Sequence, residues 1–158
     1  MIKECILVFL LFSSISWGCF SQERSDTVYV HNFPVKEGVI INHDYSLGKD
    51  RMGGVYVLAN SDSVFHFSNG IVSSVFSIED ARVVLIKNSN GYFITYANLK
   101  ESNLKKGDSV SKGTFIGTVL KDYDDEKFEL VFVILKSEGR TYSFDKTVKY
   151  LKQYGLIN

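Results

Sequence analysis

Cysteine is almost missing from this chain. Its 158 residues include two, Cys5 and Cys19, and both fall in the opening stretch. Residues 1–21, "MIKECILVFLLFSSISWGCFS", read as an export signal. Lys3 supplies a weak positive start, offset by Glu4, and Ile6 to Phe12 form a short apolar run before a small-residue segment. That run is too short to cross a bilayer comfortably, and no stop-transfer charges follow it. Cleavage after Ser21 places Cys19 and Ser21 at the two constrained positions and leaves Gln22 first. The alternative is a lipid anchor at Cys19, which follows Gly18, although Ser16 stands where a lipoprotein signal prefers an aliphatic residue. Either route leaves about 137 residues, enough for one domain of ordinary size. Without the signal's two cysteines there is no disulfide scaffold, thiolate chemistry or cysteine-ligated metal.

An excess of either charge is missing too. Eighteen Lys and Arg balance eighteen Asp and Glu. No basic block is present, so nucleic acid is not an expected partner. No Gly-x-Ser-x-Gly elbow exposes a serine nucleophile. No glycine loop opens a helix to cradle phosphate. Glu79-Asp80 and the run Asp122 to Glu126 are the candidate carboxylate pairs, and both read more simply as solvated turns. Only three histidines occur, His31, His43 and His66. His66 lies inside the apolar run "SVFHFS", where a satisfied strand histidine is the plainer reading.

What is abundant is strand-forming sequence. "DTVYVHNF" from Asp26 ends at Pro34, the only proline, and "GVIINHDY" follows. "GVYVLAN" (54–60) and "SVFHFSNGIVSSVFSI" (63–78) come next, the latter with a turn expected at Asn69-Gly70. "ARVVLIKNSNGYFITYANL" is the clearest hairpin, because Asn and Gly between β-branched and aromatic runs accept positive φ. Gly107, Gly113 and Gly117 punctuate short strands rather than a helix. "KFELVFVILKSEGRTYSF" predicts another hairpin, turning near Ser137 to Gly139. In the tail, Val148, Leu151 and Tyr154 recur at three-residue spacing. This predicts a short amphipathic helix starting near Asp145, with Asp145 as its cap and Gly155 as its end. The expected class is all-β: a single domain of antiparallel sheets with short Gly-rich turns and one C-terminal helix.

Three pieces of this pattern fall in one register: Asn90-Gly91-Tyr92, then Tyr96-Ala97-Asn98-Leu99, then Leu104 to Gly117 with glycines at six- and four-residue steps. The segment resembles the central part of the lysostaphin/LytM-type zinc endopeptidases, which have the duplicated hybrid motif fold. The resemblance extends over roughly 51–144. It implies a division into a signal (1–21), N-terminal strands outside the resemblance (22–50), the endopeptidase-like domain (51–144) and the C-terminal helix (145–158). Members of that family cut peptides of bacterial peptidoglycan with a zinc held by two histidines and an aspartate, or, when inactive, bind or regulate wall enzymes.

Carried over residue by residue, the resemblance implies a degenerate site. The first histidine position falls on Arg51 and the aspartate position on Val55. Gly53 between them is retained. "ELVFVI" matches the last motif, so its two histidine positions fall on Glu129 and Val131. The assisting histidine after Tyr-Ala is Asn98. Arginine is a permanent cation and valine has no lone pair, so no metal and no cofactor are expected. Arg51, Tyr96, Asn98 and Glu129 are expected to converge in the former active groove, with Arg51 and Glu129 paired across it. The resemblance thus implies an exported envelope protein, periplasmic or outer, secreted or lipid-anchored. It leans away from catalysis and towards binding peptidoglycan or a wall hydrolase. An active zinc peptidase with rearranged ligands, drawing on His43, and a purely structural envelope domain are the alternatives.

Overall fold

The computed structural model describes residues 28–30, 33–41, 54–121, 127–139 and 141–157. The expected signal, Cys19, His31, His43 and Arg51 lie outside these residues. So does the whole acidic run 122–126, although Lys121 and Phe128 on either side form an antiparallel bridge.

Among the described residues, ten strands and one helix follow in order: β1 (Val28–Val30), β2 (Gly38–Ile41), β3 (Val55–Ala59), β4 (Ser63–Phe65), β5 (Gly70–Ile78), β6 (Ala81–Asn88), β7 (Phe93–Glu101), β8 (Ser109–Val110), β9 (Phe115–Val119), β10 (Phe128–Leu135) and α1 (Phe144–Gln153). All pairings among them are antiparallel, in the order β1-β2-β3-β10-β7-β6-β5-β8, and β9 joins β4 to β7. The class is all-β with a short C-terminal helix, as the strand periodicity predicts.

Alternation sorts the central strands into two faces. Leu130, Phe132 and Ile134 of β10 are fully buried, as are Val55 and Val57 of β3 and Ile94 and Tyr96 of β7. These form the core with Ile40, Ile86, Leu99 and Ile116, and α1 adds Tyr150 and Leu151. The intervening residues of β3, β10 and β7 are only half-buried and make up the outer face of the same strands.

Two glycines are needed for close approach rather than for turning. At Gly117 in β9 a Cβ would run into the backbone carbonyl of Glu101 in β7. Asn69-Gly70 is not the expected hairpin turn. β4 pairs with β9 while β5 pairs with β6 and β8, so the chain changes partners between β4 and β5. Gly70 lies opposite Asn88, and a Cβ there would come within 2.8 Å of both Ile86 Cγ2 and the Lys87 carbonyl. The 88–91 turn between β6 and β7 does form as expected. Gly91 has φ 80° and its N–H donates to the Asn88 carbonyl.

The helix begins one residue before Asp145. Ser143 occupies the cap position without a side-chain cap bond, and Asp145 sits in the first turn, where its charge favours the helix dipole. Gly155, with φ 64°, lies just beyond its end.

Gly117→Ala is expected to destabilise the fold by about 1–3 kcal/mol, because β7 and β9 must separate to admit the methyl group. Gly91→Asn, at an open position whose left-handed backbone asparagine accepts, is expected to stay within about 0.5 kcal/mol of wild type. Urea denaturation of the two variants checks the contrast.

Candidate functional site

The outer face of β3, β10 and β7 is organised by register. Tyr56 pairs with Val131, and Val131 pairs with Ala97 on its other side; Ile41 of β2 pairs with Tyr56. This gives one cross-strand row, Ile41–Tyr56–Val131–Ala97. In the next row Val39 pairs with Leu58, and Leu58 with Glu129. Glu129 and Val131 are two apart on β10 and share this face, alternating with buried Leu130.

Asn98 closes the second row by an unusual route. Its φ is 63°, left-handed, and it is the second residue of a bulge. Tyr96 and Leu99 both point inward although three positions apart, which leaves Ala97 and Asn98 together on the outer side. The register between β6 and β7 shifts at the same place. Asn98 Nδ2 donates to the Glu129 carbonyl at 2.6 Å, and the Asn98 carbonyl accepts from the Leu120 N–H at 3.0 Å. Asparagine tolerates this backbone conformation, and so does histidine.

Of the residues expected to meet, Asn98, Glu129 and Val131 adjoin, whereas Val55 and Tyr96 do not join them. Val55 pairs with Phe132 and is fully buried, so its side chain lies on the core side of β3. Tyr96 is also fully buried, its ring 5.5 Å from Phe132. The reason is the same in both cases: a strand shows alternate residues to opposite faces, and these two share parity with the core. Tyr56 is the residue missed in the sequence. Its pairing with Val131 puts it where Val55 was expected, and the alternation of "VYVLA" against "ELVFV" carried that signal.

The Tyr96 hydroxyl meets His66 inside the core. His66 Nδ1 lies 2.8 Å from Tyr96 Oη, and Ser68 Oγ lies 3.2 Å from His66 Nε2. Both ring nitrogens are thus partnered. Burial lowers the imidazole pKa from 6.5 to about 4, so the ring is neutral at pH 7. The phenol of Tyr96 is pushed up by the same burial. His66 is a satisfied core histidine.

These residues do not suit a zinc ion. Zinc takes imidazole nitrogen, thiolate or carboxylate in a near-tetrahedral set. The outer face offers the Glu129 carboxylate, the Tyr56 phenol and an Asn98 amide whose nitrogen is already engaged by a carbonyl. Val131 offers no donor. Among the described residues no group of three or more His, Cys, Asp or Glu gathers to hold a metal.

The profile of Peptidase family M23 matches residues 49–143. The chain belongs to this family. The LytM protein of Ruminococcus gnavus ATCC 29149 superposes with a TM-score of 0.60 at 18% identity, over 80% of this chain and 60% of that one. The solution structure of lysostaphin gives 0.54 at 21%, over 72% and 49%, so this chain spans about half the length of the lysostaphin chain it matches. A chain of the SpoIIIAH and SpoIIQ complex gives 0.54 at 17%, over 82% and 94%. At these identities the likeness is one of fold. No curated protein matches the chain. The M23 resemblance read from the Tyr-Ala-Asn-Leu segment and its glycines is therefore the family itself, and the strands just described are its M23 scaffold.

Two outcomes follow. Asn98→Ala loses both the amide bond to β10 and a residue suited to positive φ, whereas Asn98→Gly loses only the bond. Alanine is expected to be less stable than glycine by about 1 kcal/mol in urea denaturation. For His66, the folded pKa lies below the unfolded value, so its contribution is fully present above pH 6.5 and is lost as pH falls from 6.5 towards 4. The loss approaches about 3 kcal/mol at the acid end. Subtracting the stability–pH profile of His66→Asn from that of wild type is expected to isolate this slope.

Proposed function

We propose that this M23 domain is a non-catalytic binding module of the bacterial cell envelope, exported by residues 1–21, that recognises peptidoglycan through the outer face of β3, β10 and β7. The observation that carries the reading is Val131. By the motif correspondence it stands for a metal-binding histidine, and its aliphatic side chain lies in a row with Tyr56 and Ala97. Asn98, in the place of the assisting histidine, ties β7 to β10 through its amide. Both positions now serve the sheet. The outer face keeps a carboxylate, a phenol and small apolar groups, which suit a peptide or glycan strand laid along it.

A second reading, binding to a protein partner such as a wall hydrolase, rests on one observation, which speaks only for a protein partner: a structural neighbour of similar extent was solved as a two-protein complex, of SpoIIIAH and SpoIIQ.

Co-sedimentation with purified peptidoglycan tests the proposal. The signal-less chain is expected to pellet with the wall, and Glu129→Lys to weaken that association about tenfold, equivalent to about 1.4 kcal/mol. Peptidoglycan left uncut over the same incubation is the accompanying expectation. A chain that stays in the supernatant overturns wall binding and favours the protein partner. Release of soluble wall peptides overturns the non-catalytic reading.

A further inference from the structure

A concavity is built by the helix, which lies beyond the residues matched to M23. It is a groove of about 560 Å³ between α1, the β6–β7 turn and the chain that leaves β10. Its floor is tyrosine. The Tyr150 ring lies 5.3 Å from Tyr92, 6.1 Å from Tyr142 and 4.8 Å from Tyr154. The turn fixes this floor through its asparagines. Asn88 Nδ2 donates to Tyr150 Oη at 2.9 Å, and Asn90 Nδ2 donates to Tyr154 Oη at 2.5 Å.

Three cations line the groove with the tyrosines: Lys136 after β10, and Lys146 and Lys149 one turn apart on α1. Among the described residues no Asp or Glu lines the groove. A lysine-rich helix face is ordinarily just solvated. Here that face borders a concavity floored by oriented phenols. Burial and a hydrogen bond with Tyr92 push the Tyr142 hydroxyl up to about 12, and burial raises Tyr150 further, so these phenols stay neutral across physiological pH.

Each element answers to one part of a ligand. Aromatic rings accept the apolar C–H face of a pyranose. Neutral phenols and amides match its hydroxyls. The lysines that line the groove match carboxylate or phosphate groups. We propose that this groove binds an anionic oligosaccharide, at a site separate from the outer face described above. The two sites lie towards opposite ends of the β7–β10 pair. Phe93↔Leu135 and Ala97↔Val131 mark those ends, about 13 Å apart along the strands.

Calorimetric titration of the signal-less chain with oligogalacturonate, whose every ring bears a carboxylate, tests this. Saturable binding is expected, with a neutral chitooligosaccharide of equal length about tenfold weaker. Lys146→Ala with Lys149→Ala, and separately Tyr142→Ala, are each expected to weaken oligogalacturonate about fivefold. Glu129→Lys is expected to leave it unchanged. Polyphosphate supplies the charge without the ring. If it binds as tightly as oligogalacturonate and is indifferent to Tyr142→Ala, the groove is a plain basic patch and the proposal fails. It fails equally if neither saccharide binds, if the neutral one binds as well, or if Glu129→Lys abolishes binding while the groove variants keep it.

Discussion

Asn98 holds a left-handed backbone, φ 63°, in the middle of β7, and three strands depend on it. Before the bulge β7 runs beside β10, from Phe93↔Leu135 to Ala97↔Val131. After it, Leu99 pairs with Val119 of β9. A regular strand would have sent Leu99 outward and lost a fully buried side chain from the core. The extra residue restores the parity of Leu99 and lets β7 pass from one partner to the next. The amide to Glu129 and the carbonyl to Leu120 fix that hand-over on both sides. Gly117 completes it, since β9 approaches Glu101 too closely for any side chain.

The same parity separates chemistry from packing. Core-facing positions of β3, β7 and β10 carry Val55, Tyr96, Leu130 and Phe132, joined inside by the Tyr96–His66–Ser68 chain of hydrogen bonds. Outward positions carry Tyr56, Ala97, Asn98, Glu129 and Val131. A metal site needs several donors converging from neighbouring strands on one face. On the described part of this face the pairing partners of Val131 are Tyr56 and Ala97, so the register that would assemble a ligand set assembles a row of apolar and phenolic side chains.

Much of this was legible in the sequence. The 88–91 turn, the glycine ladder from Gly107 to Gly117 and the alternation of "FELVFVIL" specify strands by local chemistry alone, and they also carry the family. Asn98 was singled out by the Tyr-Ala-Asn-Leu pattern, but not as a bulge, because a bulge appears only when the parity of Tyr96 and Leu99 is compared across a pairing partner. For the same reason Val55 and Tyr96 were expected in the groove. Counting positions along a motif gives correspondence in sequence, whereas facing is set by register with another strand. Asn69-Gly70 misled in a similar way: the dipeptide favours a turn, yet Gly70 answers to its approach to Ile86 and Lys87. The tyrosine groove was not foreseen, since its floor draws on residues from 88 to 154 that no local pattern connects.

In the proposed reading an M23 scaffold persists here with its metal-binding positions given over to sheet packing. Elemental analysis of a chain starting at Gln22, after equilibration with excess zinc and desalting, tests this directly. Far less than one zinc per chain is expected, with the same thermal midpoint with and without a chelator. One tightly held zinc per chain, with a midpoint that falls on chelation, would contradict it.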